Sequence, residues 1–132
     1  MSADRTADIG VITARPSPHR LGINGEEAAE RYLQKKRYRI MARNFHFHRG
    51  EIDLIAYDRS TLVFLEVKTR RSLDQGSPEE SVTLRKQLQI RKIAGAYLAG
   101  RNLQDVPCRF DVLSISLEGK DGFDIRHIEN AF

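Results

Sequence analysis

The chain has 132 residues, with 22 Lys or Arg against 18 Asp or Glu, 40% hydrophobic residues and 30% charged ones. That length suits one domain able to bury a core unaided, and no apolar run is long enough to cross a bilayer as a helix. Cys108 is the single cysteine, which excludes an intramolecular disulfide and a cysteine-built zinc site.

Residues 1–20, MSADRTADIGVITARPSPHR, are polar, contain Pro16 and Pro18 and lack periodicity. A flexible tail is expected there, with one domain over 21–132. The tail has no continuous apolar stretch of the secretory kind, so the expected compartment is the cytoplasm. The first helix is predicted from about Asn24 to Lys36. Asn24 or Gly25 can cap it, and Glu26 and Glu27 suit its first turn. Ala29, Tyr32 and Leu33 form its apolar stripe, and helical spacing puts Glu26 over the same face. Whether Glu26 serves a site or only the helix start is an even choice from the sequence.

Three extended segments follow. Tyr38–Phe47 alternates roughly, Glu51–Tyr57 is entered through Gly50, and Thr61–Thr69 carries the apolar run LVFL. Asp58, Arg59 and Ser60 make the turn between the last two. A long helix is predicted from about Pro78 to Gly100, with Ser77 and Glu80 as a capping box, Pro78 at its first position and Gly100 at its end. Val82, Ile90, Ile93, Ala94 and Tyr97 are its buried stripe. Arg109–Leu117 is a further strand, Glu118–Gly122 a turn, and Phe123–Ile128 a short edge strand. Strands mixed with helices in one small domain indicate an α/β or α+β fold, a central mixed sheet flanked by helices.

Charge is unevenly distributed. Residues 35–49 contain six Lys or Arg and no acid, and residues 81–101 contain five and no acid. Glu51, Asp53, Asp58 and Glu66 lie between them. A basic surface around a small acidic centre suits a polyanion held by its phosphates at a metal site, although charge alone equally describes solvated faces.

The hairpin makes this sharper. A turn centred on Arg59–Ser60 pairs Asp58 with Thr61 and Tyr57 with Leu62. Counting back sets Asp53 opposite Glu66, and Glu51 opposite Lys68. Opposed residues of an antiparallel ladder share a face, as do Glu66 and Lys68 along one strand. Two opposed carboxylates in a half-buried sheet repel and are poorly solvated. Hard divalent cations take carboxylate oxygens, so Asp53 and Glu66 can hold Mg²⁺ or Mn²⁺, with a backbone carbonyl near Val67. Lys68 can orient a water or stabilise charge developing on a phosphate. An ordinary salt-bridge cluster is the bland reading, and the full spacing favours the metal site.

These residues resemble the uncharacterised bacterial family that shares the restriction-endonuclease-like PD-(D/E)xK fold and is related to archaeal Holliday junction resolvases. The matching pieces are GEEAAERYL at 25–33, RN at 43–44, GEIDLIA at 50–56, FLEVKTR at 64–70, the SPEE–V–K pattern ending at Lys86, AYL at 96–98, RFDV at 109–112 and the terminal NAF. Ile52 stands where a proline often precedes the aspartate. The resemblance implies the three-layer restriction-endonuclease-like (tRNA endonuclease-like) fold, a Mg²⁺ site, and Asp53, Glu66 and Lys68 as motif residues. Glu26 matches the acidic residue that many resolvase-like members contribute. A nuclease acting on branched or structured DNA follows as the expectation, and the resolvase analogy allows a homodimer. A nucleic-acid-binding module without cleavage, and an adaptor whose acids set strand register, remain the contrasting readings.

Several basic residues are candidates for phosphate contact. Lys86 either snorkels along its helix or points over the site. Arg70 and Arg71 follow the active strand, and Arg43 and Arg49 lie in the basic segment. His46 and His48 alternate around Phe47 but lack an evident third ligand for a zinc site. Asp111 is expected to pair with Arg109 or Arg43.

Overall fold

The computed structural model describes residues 18–70, 82–116 and 124–132, with side chains from Gly25 onward. Seven elements follow in chain order: α1 (Pro18–Lys35), β1 (Arg39–Phe47), β2 (Gly50–Asp58), β3 (Thr61–Arg70), α2 (Leu84–Gly100), β4 (Cys108–Ser116) and β5 (Asp124–Ile128). The strands form one sheet in the order β1-β2-β3-β4-β5. β3 and β4 are parallel and the other neighbours antiparallel. Parallel strands need a long crossover, and α2 lies in the segment that supplies it.

The apolar run of β3 is explained by its central place. Leu62 through Glu66 are all buried, because each face of the sheet is covered by a helix. On one face Ile90, Ile93, Ala94 and Tyr97 of α2 pack on Ile55, Leu62, Phe64 and Val112. On the other, Ala28, Ala29 and Leu33 of α1 pack on Leu54, Ala56, Val63, Leu65 and Leu113. The result is the expected mixed sheet between helices, a three-layer α/β architecture of the restriction-endonuclease-like kind.

Two helix starts differ from the sequence reading. α1 begins at Pro18, so Pro18, His19 and Arg20 are helical rather than tail; the rest of the expected tail lies outside the described residues. Asn24 and Gly25 therefore lie inside α1 and do not cap it. Gly25 is needed for another reason: a Cβ there would stand 2.2 Å from Thr69 Oγ1 on β3. α2 begins at Leu84, where the Thr83 hydroxyl accepts a hydrogen bond from the Lys86 N–H at 3.2 Å. The residues of the expected capping box, Ser77, Pro78 and Glu80, lie outside the described residues. Gly100 ends α2 as expected.

Candidate functional site

The hairpin register follows the turn: Asp58 pairs with Thr61, Tyr57 with Leu62, and the ladder continues to Leu54 with Leu65. Asp53 and Glu66 are the next residues on the two strands, and the paired ladder ends before them. Ile52 belongs to the core under α2, whereas Leu54 belongs to the core under α1. Residues two apart on a regular strand share a face, so β2 changes face at Asp53. On the neighbouring strand Asn44 lies between Arg43 and Phe45, the partners of Leu54 and Ile52. Its φ is +48°, a left-handed conformation that asparagine tolerates better than most residues. Where the ladder stops, the Asp53 carboxylate takes the place of a backbone acceptor. The Val67 N–H donates to Asp53 Oδ2 at 2.8 Å.

Glu66 is buried at 6% exposure. Its Oε2 lies 3.6 Å from Lys68 Nζ and 3.6 Å from Lys86 Nζ. The two ammonium groups arrive from different layers, one from β3 and one from α2. Burial pushes the Asp53 carboxyl up to about 8, the nearby Glu66 charge adds to the shift, and the Val67 N–H opposes it. Asp53 thus lies beside a carboxylate flanked by two lysines, and among the described residues no ion pair joins Asp53 to a cation of its own.

The α1 side closes the site. A cleft of about 140 Å³ lies between α1 and the β1–β2 pair, lined by Glu26, Glu30, Arg43, Asn44 and Asp53 among others. Burial raises the Glu26 pKa; Asn44, 3.5 Å away, works against this, and the charges of Glu51 and Glu66 add to it. Glu26 therefore belongs to the acidic centre and is not merely a helix-start residue. Arg43 is tied to Glu30 through Nε, at 2.9 and 2.8 Å, and through Nη2.

The donor chemistry suits a hard divalent cation in one respect. Asp53 and Glu66 are neighbouring carboxylates in a poorly solvated site, and a cation would relieve their repulsion. In another respect the set is lean: among the described residues, no group of three or more His, Cys, Asp or Glu side chains is placed to hold an ion. A backbone carbonyl and water would have to complete the shell.

The remaining candidates scatter. Lys86 joins the site. Arg49 lies beside Gly50, in a separate cleft. Arg70 is largely covered at the end of β3, at 9% exposure, and Arg71 lies outside the described residues. Glu51 pairs with His46 across β1–β2, at 3.3 Å, and not with Lys68. His48 occupies the β1–β2 turn with φ +55°. Cys108 is exposed, at the start of β4.

Asp111 does pair with Arg109, but within a network invisible in the sequence. It is fully buried and accepts from Arg109 Nη2 at 2.9 Å and the Asn130 N–H at 2.9 Å, with His127 Nε2 at 2.7 Å. Burial alone would raise its pKa; these hydrogen bonds outweigh burial and hold it below the ordinary carboxylate value. Arg109 also reaches Tyr38 and Asp58, at 2.8 and 3.1 Å. The network ties the end of the chain to β4, and the Ala131 N–H donates to Phe110 O at 2.7 Å. The terminal NAF thus has a structural use, with Phe132 stacked on Phe110.

Fold and site together define an α/β protein of restriction-endonuclease-like architecture with an acidic centre flanked by lysines. Residues 25–115 match the family described as Uncharacterised protein family UPF0102, and the chain belongs to it. The UPF0102 protein CT2262 of Chlorobaculum tepidum is 48% identical over 121 residues, covering 88% of this chain and 94% of its own. The UPF0102 protein GSU0650 of Geobacter sulfurreducens is 49% identical over 112 residues, covering 85% and 88%. STH1475 of Symbiobacterium thermophilum, another UPF0102 protein, is 49% identical over 114 residues, covering 86% and 96%. No helix among the described residues is long and apolar enough to cross a membrane.

Proposed function

We propose that this protein is a divalent-metal-dependent endonuclease that hydrolyses DNA phosphodiester bonds, with branched or structured DNA as its substrate, in the cytoplasm. One observation carries the reading: Glu66, whose charge acts on Asp53, lies 3.6 Å from both Lys68 and Lys86. An acidic cluster that only set strand register would need one lysine on Glu66, whereas here two arrive from different layers.

The carboxylates of Asp53 and Glu66, with a main-chain carbonyl near Val67, would hold Mg²⁺ or Mn²⁺. The cation supplies Lewis-acid polarisation of a phosphoryl oxygen. The protein supplies the rest. Lys68 donates hydrogen bonds to the attacking water or to an oxygen on which charge grows. Once a phosphate enters, Lys86 can leave Glu66 to contact it, since its stem lies beside the site. Glu26 walls the acidic side and helps orient water. Arg43, Arg49, Arg70 and Arg71 are the further candidates for holding the strand by its phosphates.

The absence of a third carboxylate ligand among the described residues favours one contrasting reading, a module that binds nucleic acid without cutting it. The decisive assay incubates the purified protein with linear, single-stranded and four-way-junction DNA, and with RNA, in Mg²⁺ or Mn²⁺. Cleavage that falls at least about a hundredfold in Asp53→Ala and in Lys68→Ala is expected. Binding with no metal-dependent cleavage on any of these substrates would sink the enzyme reading. Sedimentation of the junction complex would count the copies bound, and two are expected if both strands are cut symmetrically.

A further inference from the structure

A second cleft lies further along β2 and α2 from the acidic site, and of its lining only Arg49 entered the reading above. It has a volume of about 340 Å³ and is walled by Phe47, His48, Arg49, Gln89, Lys92 and Ile93, with Gly50 among its lining residues. That volume is at the lower end of the ~300–1,000 Å³ typical of small-ligand pockets. Phe47 and Ile93 belong to or pack on the core under α2, so they form an apolar wall. The Phe47 and His48 rings meet edge to face with centroids 4.2 Å apart. Arg49 and Lys92 are exposed, and among the described residues no acid lines the cleft. Gly50 leaves room for two side chains of α2: a Cβ there would come 2.6 Å from Ile93 Cδ1 and 2.9 Å from Gln89 Nε2.

The cleft lies in line with the acidic site on both elements that build it. Gln89 is three residues beyond Lys86, about 5 Å along α2. Gly50 is three residues before Asp53, about 10 Å along β2. A nucleotide two or three rises of ~3.4 Å from the bond over Asp53 would reach it. A duplex presents a convex row of phosphates and cannot fill a concavity with an apolar wall. An unstacked base can, because its faces suit apolar and aromatic walls and its edge suits an amide such as Gln89. Arg49 and Lys92 then stand where its phosphates would lie.

We infer that this cleft is a subsite for one unpaired nucleotide of the strand held at the acidic site. The inference rests on the nucleic-acid reading above and narrows the substrate to DNA with a single-stranded stretch next to the cut. Two measurements on the full chain test it. In the first, deoxyadenosine monophosphate is titrated into the ¹⁵N-labelled protein without metal. The amides of Phe47, Gly50, Gln89 and Ile93 should shift, and silence there overturns the subsite. In the second, fluorescence anisotropy in EDTA compares a blunt duplex with the same duplex carrying a three-nucleotide overhang. The overhang should bind about tenfold tighter. In the double variant Gln89→Ala, Lys92→Gln this preference should disappear, with blunt-duplex binding weakened only about twofold. Equal losses on both DNAs would show a basic rim without a base site and overturn the inference. Cleavage without overhang preference removes the subsite and leaves the nuclease reading standing. Overhang preference without cleavage on any substrate does the reverse.

Discussion

The Asp53 carboxyl sets the pH behaviour of the site. Its pKa is raised toward about 8, first by burial and then by Glu66. A raised carboxyl stabilises the metal-free fold fully only below its unfolded value, near ~4. That contribution is lost as pH rises through the folded value. The melting temperature of the metal-free protein should therefore fall more between pH 5 and about 8 than that of Asp53→Asn. Parallel slopes for the two proteins would show that Asp53 does not hold a proton there. A proton on the same carboxyl competes with a cation. Mg²⁺ or Mn²⁺ affinity, followed by calorimetry, should rise up to roughly tenfold per pH unit below about 8 and level off above it. The residue was legible because a two-residue turn fixes pairing arithmetic: once Asp58 meets Thr61, Asp53 must approach Glu66. Glu51 was not, because β2 changes face at Asp53 and ladder counting no longer applies beyond that point.

At the scale of elements, the approach of α1 to β3 depends on Gly25. A glycine inside a helix is disfavoured by about 1 kcal/mol relative to alanine, so Gly25→Ala would stabilise an isolated α1. Here the new Cβ would meet the β-branched Thr69 at 2.2 Å, and overpacking of this kind costs about 1–3 kcal/mol. The clash wins. Gly25→Ala should lower unfolding free energy in urea, and Thr69→Ala in the same chain should recover most of the loss. Additive effects of the two changes would show that they do not touch. The α1 stripe was readable from its period, and its start was misplaced because Asn24–Gly25 looks like a cap. The same sequence pattern serves a cap and a close crossing, and only the strand lying against it distinguishes them.

For the whole molecule, the Asp111 network joins β4, β5, the end of β2 at Asp58, Tyr38 just before β1 and the last residues. Asp111 is buried with Arg109 and His127 as partners. Removing one member of a buried charged pair strands the other, a loss of about 3–5 kcal/mol. Asp111→Ala should unfold at correspondingly lower urea concentration while leaving metal affinity at Asp53 and Glu66 within about twofold. A large fall in metal affinity with intact folding would instead tie the network to the site. Phe132→Ala, which removes the ring stacked on Phe110, should cost about 1–2 kcal/mol, less than a fully buried phenylalanine because Phe132 is only half-buried.

By itself the sequence determined the element order, the buried central strand and the meeting of Asp53 with Glu66 beside Lys68. Those follow from local causes: side-chain period, turn length and the alternation of faces along a strand. Only the tertiary structure decided that Lys86 crosses from α2 to Glu66, that Glu26 joins the acidic centre, and that Arg109 links Asp111 to Tyr38, 71 positions away. These contacts depend on how the two helices seat on opposite faces of one sheet, and no local period encodes that placement.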